Sequence, residues 1–392
     1  MRITGGMVFG PDLQFAERDV VIRDGVFAEE TGREAVPGGG QEAAEEVVDA
    51  SDCYVIPGLL DLHFHGALGM DVCDGTREAF QTIADYEARQ GVTAICPATL
   101  TLAVEELAAV LRTGAEFART QTVTQTVGAD LVGFNMEGPF ISHVKKGAQN
   151  EDYIIPCDPA VADRFIEASE GLVKIIGLAP EENPDFEEYI RAVRDKVIVS
   201  LAHTNADYAT AMRAFRAGAG HAVHLYNAMR GLSHREPGMI GAVSDARHVY
   251  AEIICDGVHI HPAAVRAAFR MNGAERMVFI SDSLRCAGMP DGEYLLGGQT
   301  VRKEGKLCTL KEDGNIAGSV SNLMDCLRNA VQTMEIPLET AVACSTINPA
   351  RAIRVEDRYG SIEAGKKGNV VLLSRDESLK VRRVVKDGRV VA

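Results

Sequence analysis

Residues 57–66 read PGLLDLHFHG, an apolar run that opens at Leu59 and closes on two histidines one residue apart. In a β-strand alternate residues share a face, so His63 and His65 point one way while Phe64 points the other. Reading outward, a short apolar strand closed by a polar ligand type recurs along the chain. Leu131–Glu137 ends in Glu137, Val197–His203 ends in His203, Ala222–Tyr226 carries His224, and Met277–Ser281 runs into Asp282. Thr93–Leu100, Lys174–Ala179 and Tyr250–Cys255 bring the strand candidates to eight. Amphipathic stretches separate most of them: Thr76–Gln90, Val104–Arg119, Ala206–Arg216, Pro262–Met271 and Ser321–Met334. The last has Leu323, Met324, Leu327, Val331 and Met334 at helical spacing. This alternation predicts an α/β fold, a (β/α)8 TIM-like barrel rather than a doubly wound sheet. No Gly-rich dinucleotide fingerprint or P-loop follows any of the strands.

A barrel gathers the C-terminal ends of its strands on one face, where active sites sit. The imidazoles of His63, His65, His203 and His224 and the carboxylates of Glu137 and Asp282 would meet there. That donor set suits a first-row divalent metal. Taken singly, a histidine at a strand end reads as a hydrogen-bonded structural residue. The joint placement on five strands is what points to a metal site.

The two ends of the chain resemble each other. Val20–Phe27 reads VVIRDGVF and Arg383–Val391 reads RVVKDGRVV, each a β-branched run broken by Asp-Gly, a strong hairpin signal. Residues 37–46, PGGGQEAAEE, read as a flexible loop, and residues 47–58, VVDASDCYVIPG, carry the chain onward. The economical reading is a small β-sandwich domain from residues 1–56 and 355–392, with a catalytic barrel, residues 57–354, inserted between them.

The 56 acidic and 40 basic residues leave a net charge of -16. Such a surface repels polyanions, so nucleic acid and anionic membranes are not expected partners. A phosphorylated ligand would have to be held by local groups. No apolar run approaches the ~18 residues of a membrane span, and Met1–Gly10 lacks the apolar core of a signal peptide. Nine cysteines without a Cys-x-x-Cys pair suit reduced thiols, so a cytoplasmic location is expected and no cysteine is given a catalytic role.

PGLLDLHFHG, MEGPF (136–140), KKGAQN (145–150), LAHTNAD (201–207), HLYNAM (224–229), HREPG (234–238), DGVHIHP (256–262) and SDS (281–283) occur in this order. In that order they resemble the N-acetylglucosamine-6-phosphate deacetylases, a branch of the amidohydrolase superfamily. The resemblance spans about Val55 to Arg354 and is carried most specifically by HLYNAM followed by HREPG. It implies a principal divalent ion, Zn2+ or Fe2+, on Glu137, His203 and His224. Because the His-x-His pair is intact, it also implies a second ion on His63 and His65, bridged by Glu137. It further implies substrate contacts from Ala148, Gln149, Asn227, Ala228, Arg235 and His259. Asn227, Ala228 and Arg235 would meet the phosphate, His259 the phosphate or the sugar, and a loop at Ile316, Ala317 and Gly318 would close over the sugar. A homodimer that completes the phosphate pocket is implied as well. Gln149 departs from family members with a histidine there: an amide can donate a hydrogen bond but cannot titrate.

The expected reaction is amide hydrolysis of a phosphorylated amino sugar, with metal-assisted activation of water and of the carbonyl. Asp282 would take the water's proton and return it to the leaving nitrogen. Two rival readings are weighed against it. A cyclic-amide hydrolase usually places a carboxylated Lys at the end of strand four, whereas here that strand, KIIGLAPE (174–181), has its only Lys at the start. A non-catalytic barrel relative would have lost metal ligands, and none is missing.

Overall fold

The computed structural model describes residues 1–29, 46–124 and 127–392, so the loop expected at 37–46 lies, apart from Glu46, outside the described residues. Its centre is a curled parallel sheet in which sequence neighbours are spatial neighbours. Leu59–Asp61 pairs with Val92–Ile95, which pairs with Asp130–Leu131. From Ala98–Thr99 the ladder continues through Phe134–Phe140, Val173–Leu178, Ile198–Leu201, His221–Ala222 and Tyr250–Ile254 to Met277–Ile280. The curl brings the last strand back to the first. Asp282 N–H donates to the His63 carbonyl at 2.9 Å, and His65 N–H donates to the Ser283 carbonyl at 2.7 Å.

The expected helices form, several of them beginning at a capping side chain and burying an apolar stripe. Thr76 accepts from Ala79 N–H and starts Arg77–Arg89, whose Phe80, Ile83 and Ala84 are buried. Asp207 caps Tyr208–Ala217, and Asn322 caps Leu323–Gln332. Phe80 stacks on Phe117 at 5.7 Å and meets Phe134 edge-on at 6.0 Å, joining two helices to the third strand. Each such fully buried aromatic contributes about 1.5–3 kcal/mol of apolar burial.

Several strands are shorter than their apolar runs. The first ends at Asp61 rather than His65, because the Asp61 carboxylate turns back to accept from His63 N–H at 3.2 Å. The second is interrupted between Ile95 and Ala98. The expected strand Ala222–Tyr226 reduces to His221–Ala222, because His224 and Tyr226 take left-handed φ values of 26° and 80° that no strand accommodates.

Both chain ends enter one mixed eight-stranded sheet. Its order is Arg389–Val390, Val381–Lys386, Val370–Ser374, Cys53–Pro57, Arg2–Phe9, Phe15–Arg23 and Val26–Ala28, with Val47–Asp49 beside Arg2–Phe9. Both Asp-Gly pairs make the expected hairpin turns, with positive φ at Asp24, Gly25, Asp387 and Gly388. An antiparallel meander not foreseen from the sequence, Gly292–Leu296, Gln299–Glu304 and Leu307–Leu310, follows the last parallel strand. It packs Leu296, Val301 and Leu310 against Leu100, Leu284 and Ala317 beside the strand ends.

Candidate metal centre

The ends of five parallel strands deliver six buried side chains, five of them gathered around the Glu137 carboxylate. Glu137 Oε1 lies 2.9 Å from His203 Nε2, 2.9 Å from His224 Nε2 and 3.3 Å from His63 Nε2. Its Oε2 lies 3.3 Å from His65 Nε2. Asp282 Oδ1 stands 3.6 Å from His63 Nε2 and 3.4 Å from His65 Nε2. Two groups have donor atoms close enough to share an ion: His63, Glu137 and His224, and His63, His65 and Asp282.

Three rings are oriented from behind. His203 Nδ1 is 2.8 Å from the Lys145 carbonyl, His224 Nδ1 is 3.2 Å from the Asn227 carbonyl, and His63 Nδ1 is 2.8 Å from Glu252 Oε2. Carbonyls and carboxylates only accept, so in the neutral ring Nδ1 carries the proton and Nε2 turns its lone pair to the centre. His63 Nε2 is buried without a hydrogen-bond partner. That is the condition of a ligand nitrogen rather than of a structural histidine.

The electrostatics agree. Burial pushes Glu137 up, yet His203 and His63 beside it hold its carboxyl well below the usual range. Burial pulls His65 down, yet the Asp282 and Glu137 carboxylates raise it to about 10. Burial is likewise overridden at His63, which Glu252 and Glu137 raise well above an ordinary imidazole. The centre has a strong demand for positive charge, which a divalent cation meets as well as protons do. The donor set fits such an ion.

His203, His224 and Asp282 sit at φ of 43°, 26° and 50°, and Ala228 at 50°. Left-handed backbone at four non-glycine positions around one centre is strain that the surrounding fold must hold, a pattern common at functional sites. Gly318 runs directly behind Asp282: a Cβ there would lie 2.6 Å from Leu284 Cδ2 and 3.0 Å from the Asp282 carbonyl.

The other sequence-selected residues divide into two sets. Gln149 is drawn into the centre, its Nε2 donating to Glu137 Oε2 at 2.6 Å while its Oε1 accepts from Thr101 N–H at 2.7 Å. Those two bonds fix its amide. The Ala148 carbonyl accepts from Gln299 Nε2 of the meander at 2.6 Å. His259 Nδ1 is held at 2.8 Å by Asp256 Oδ2. The Asn227 side chain folds back toward the His224 and Leu225 carbonyls at 3.3 and 3.4 Å. Arg235 is not brought in: it lies in the exposed stretch 231–236 and makes no hydrogen bond or ion pair among the described residues. Ile316 is 45% exposed while Ala317 beside it is buried.

Sequence reasoning passed over Glu252, Thr101, Asn135 and Asp256. Glu252 had a signal, an acid inside the apolar strand Tyr250–Ile254, but its partners are remote in sequence. Burial pushes its pKa up, and the adjoining His63 together with the hydrogen bond from His221 overrides this and lowers it.

The amidohydrolase family model matches residues 54–391. The N-acetylglucosamine-6-phosphate deacetylase of Bacillus subtilis is 34% identical over 334 residues, covering 85% of this chain and 84% of that one. The N-acetylgalactosamine-6-phosphate deacetylase of Escherichia coli O157:H7 is 33% identical, covering 86% and 87%. Among solved structures, a mutant Mycobacterium smegmatis N-acetyl-D-glucosamine-6-phosphate deacetylase in complex with N-acetyl-D-glucosamine-6-phosphate superposes with a TM-score of 0.87 at 28% identity. That superposition covers 100% of this chain and 99% of the other. No helix among the described residues is long and apolar enough to cross a membrane. On the span of the family match and the closeness of these relatives, the chain belongs to the amidohydrolase family.

Proposed function

We propose that this chain hydrolyses the acetamide of N-acetylglucosamine-6-phosphate to acetate and glucosamine-6-phosphate. The observation that carries the reading is Glu137 Oε1, approached at 2.9 Å by both His203 Nε2 and His224 Nε2 and at 3.3 Å by His63 Nε2. The names of the relatives supply the substrate class. Glu137, His203 and His224 would hold the principal ion, and His63 and His65 a second one that Glu137 bridges. Zn2+ and Fe2+ both suit these ligands. A divalent ion held there supplies a nucleophilic water near neutral pH and a Lewis acid for the acetyl carbonyl.

The chain's own groups do the rest. Asp282, with Oδ1 facing His63 and His65, accepts the proton of the attacking water and passes it to the departing nitrogen. Gln149 steadies Glu137. Ala148 would contact the substrate, Asn227 and Ala228 its phosphate and His259 the phosphate or the sugar, and Ile316, Ala317 and Gly318 would close over the sugar. Arg235 lies on an exposed loop outside the centre; its fork of donors would suit the 6-phosphate, in a pocket completed within a homodimer. This reading takes the curled sheet as a (β/α)8 barrel, residues 57–354. It takes the end-strand sheet as a small β-sandwich domain, residues 1–56 and 355–392, in a cytoplasmic protein.

The Escherichia coli relative favours a second reading, the galactosamine epimer of the same substrate. A panel of N-acetylated hexosamines with and without 6-phosphate, scored for free amine, separates the two. Release confined to the phosphorylated gluco epimer is expected. Release from none of the panel would overturn deacetylation.

A further inference from the structure

Glu252 is wholly buried in the strand Tyr250–Ile254, outside the six-residue centre, yet it touches two of the proposed ligands. Its Oε2 accepts from His63 Nδ1 at 2.8 Å and from the His224 backbone N–H at 3.0 Å. Its Oε1 accepts from His221 Nε2 at 2.9 Å and from Asn135 Nδ2 at 3.1 Å. Four donors around one buried carboxylate satisfy it fully, so its conformation is set by the fold and not by solvent.

The division between the two oxygens is informative. Oε1 serves His221 and Asn135, neither of them a proposed metal ligand, although Asn135 Nδ2 also lies 3.5 Å from His63 Nδ1. On the proposed ligand sets, Oε2 is shared by one residue from each position: His63, which pairs with His65, and His224, which pairs with Glu137 and His203; His63 and His224 also fall in one donor group with Glu137. The His63 bond fixes which ring nitrogen faces inward and makes that nitrogen a stronger donor to a metal. The His224 bond holds the amide of a residue whose φ of 26° aims its ring at Glu137. Displacing this oxygen would therefore disturb both positions together.

We propose that Glu252 is a positioning residue that couples the two metal positions through its shared Oε2, orienting the His63 ring and the His224 backbone at once. The inference rests on the metal reading above and deepens it.

Glu252→Gln is the informative change because it keeps the volume and removes one acceptor and the charge. The His224 amide cannot reverse its polarity, so the new side-chain oxygen must stay on the His63 and His224 side. The new NH2 then faces His221 and Asn135. His221 Nδ1 is buried without a partner, so a tautomer change lets His221 Nε2 accept, whereas Asn135 Nδ2 stays on the Leu62 carbonyl at 3.0 Å and gives up its bond to residue 252. The variant should fold, while His63 becomes a weaker ligand by about 10–100-fold, the range for lost outer-sphere partners.

The test loads parent, Glu252→Gln and His221→Gln proteins with two equivalents of Co2+ and titrates each with a chelator. Metal per chain is read by elemental analysis, the ligand field by the visible spectrum, and folding by circular dichroism. The parent should bind two ions per chain and sets the chelator range at which each is released. Glu252→Gln should release one ion per chain at about 10–100-fold less chelator, with an altered spectrum, and His221→Gln should behave as the parent. Glu252→Asp, which keeps the charge but withdraws it from both donors, should release both ions at less chelator than the parent and serves if the Gln variant does not fold. Parent-like release and spectrum in whichever variant folds overturn the role of Glu252 and leave the metal reading standing. Equal weakening by His221→Gln overturns it too, because packing alone would then explain the effect. A parent that binds no ion overturns the metal reading itself.

Discussion

Replacing Asp282 by Asn separates proton transfer from everything else that this residue does. The side chain is buried, with Oδ1 at 3.4 Å from His65 Nε2 and 3.6 Å from His63 Nε2. Asn preserves its size and, as one of the few residues at ease in left-handed backbone, also suits the φ of 50°. The loop itself is held through main-chain groups: Asp282 N–H to the His63 carbonyl at 2.9 Å, and Ser319 N–H to the Asp282 carbonyl at 2.7 Å. Shape and fold should therefore survive. What disappears is a group able to take a proton from water and deliver it to nitrogen. General acid–base catalysis contributes roughly 10²–10⁴-fold, and one carboxyl serving both steps belongs at the upper end. A 10⁴-fold loss corresponds to about 5.5 kcal/mol at about 1.4 kcal/mol per decade. The assay is acetate release under saturating and limiting substrate, with metal content measured on the same preparation. A kcat lower by about 10⁴ is expected, with KM within a few fold of the parent and the ion on Glu137, His203 and His224 retained. Activity within ten-fold of the parent would refute the assignment by showing that another group moves the proton. Loss of the principal ion along with activity would make Asp282 chiefly a ligand. The base would then be sought first at His259, whose ring Asp256 holds at 2.8 Å.

Chelation should abolish activity, and Zn2+ or Fe2+ should restore it; a fully active metal-free protein would remove the basis for the mechanism. Arg235→Ala should weaken a phosphorylated substrate by about 2–3 kcal/mol through loss of a charge-assisted contact, while an unphosphorylated analogue is little affected; equal losses on both would show that Arg235 is not the phosphate anchor. Far from the centre, Lys386 Nζ joins Asp130 Oδ1 at 2.7 Å and Asp387 Oδ2 at 3.0 Å, tying the end-strand sheet to the start of the third parallel strand. Burial raises the pKa of Asp387, but Lys386 and the hydrogen bond from Lys367 outweigh it and hold the carboxyl below its ordinary value. Its stabilisation is therefore present above about pH 4 and is lost as the pH falls through the depressed folded value. Lys386→Met should cost about 2–4 kcal/mol at pH 7 in urea unfolding, somewhat less than breaking a fully buried pair. The gap to the parent should narrow below pH 4, and a gap independent of pH would contradict the pairing.

The sequence by itself determined the strand-and-helix alternation, the two Asp-Gly hairpins and the identity of the six groups at the strand ends. These follow from local rules. Side chains alternate along a strand and recur every 3.6 residues along a helix, so burial imprints a period that can be read off directly. Asp-Gly supplies the two positive φ values a tight hairpin needs. The position of His224 needs the tertiary structure, because beyond its local contacts with Asn227 its left-handed backbone is held by the Glu252 carboxylate at 3.0 Å from its N–H. Glu252 itself stands 189 residues from His63, and no local pattern links a buried acid in one strand to a ring nitrogen at the end of another. The same holds for Gln149 against Glu137, for Gly318 behind Asp282, and for the strand of residues 370–374 pairing with that of residues 53–57. The sequence tells which groups are carried to the rim of the sheet. Which nitrogen faces the centre, and what holds it there, depends on hydrogen bonds that exist only once the sheet has curled and its two edges have met.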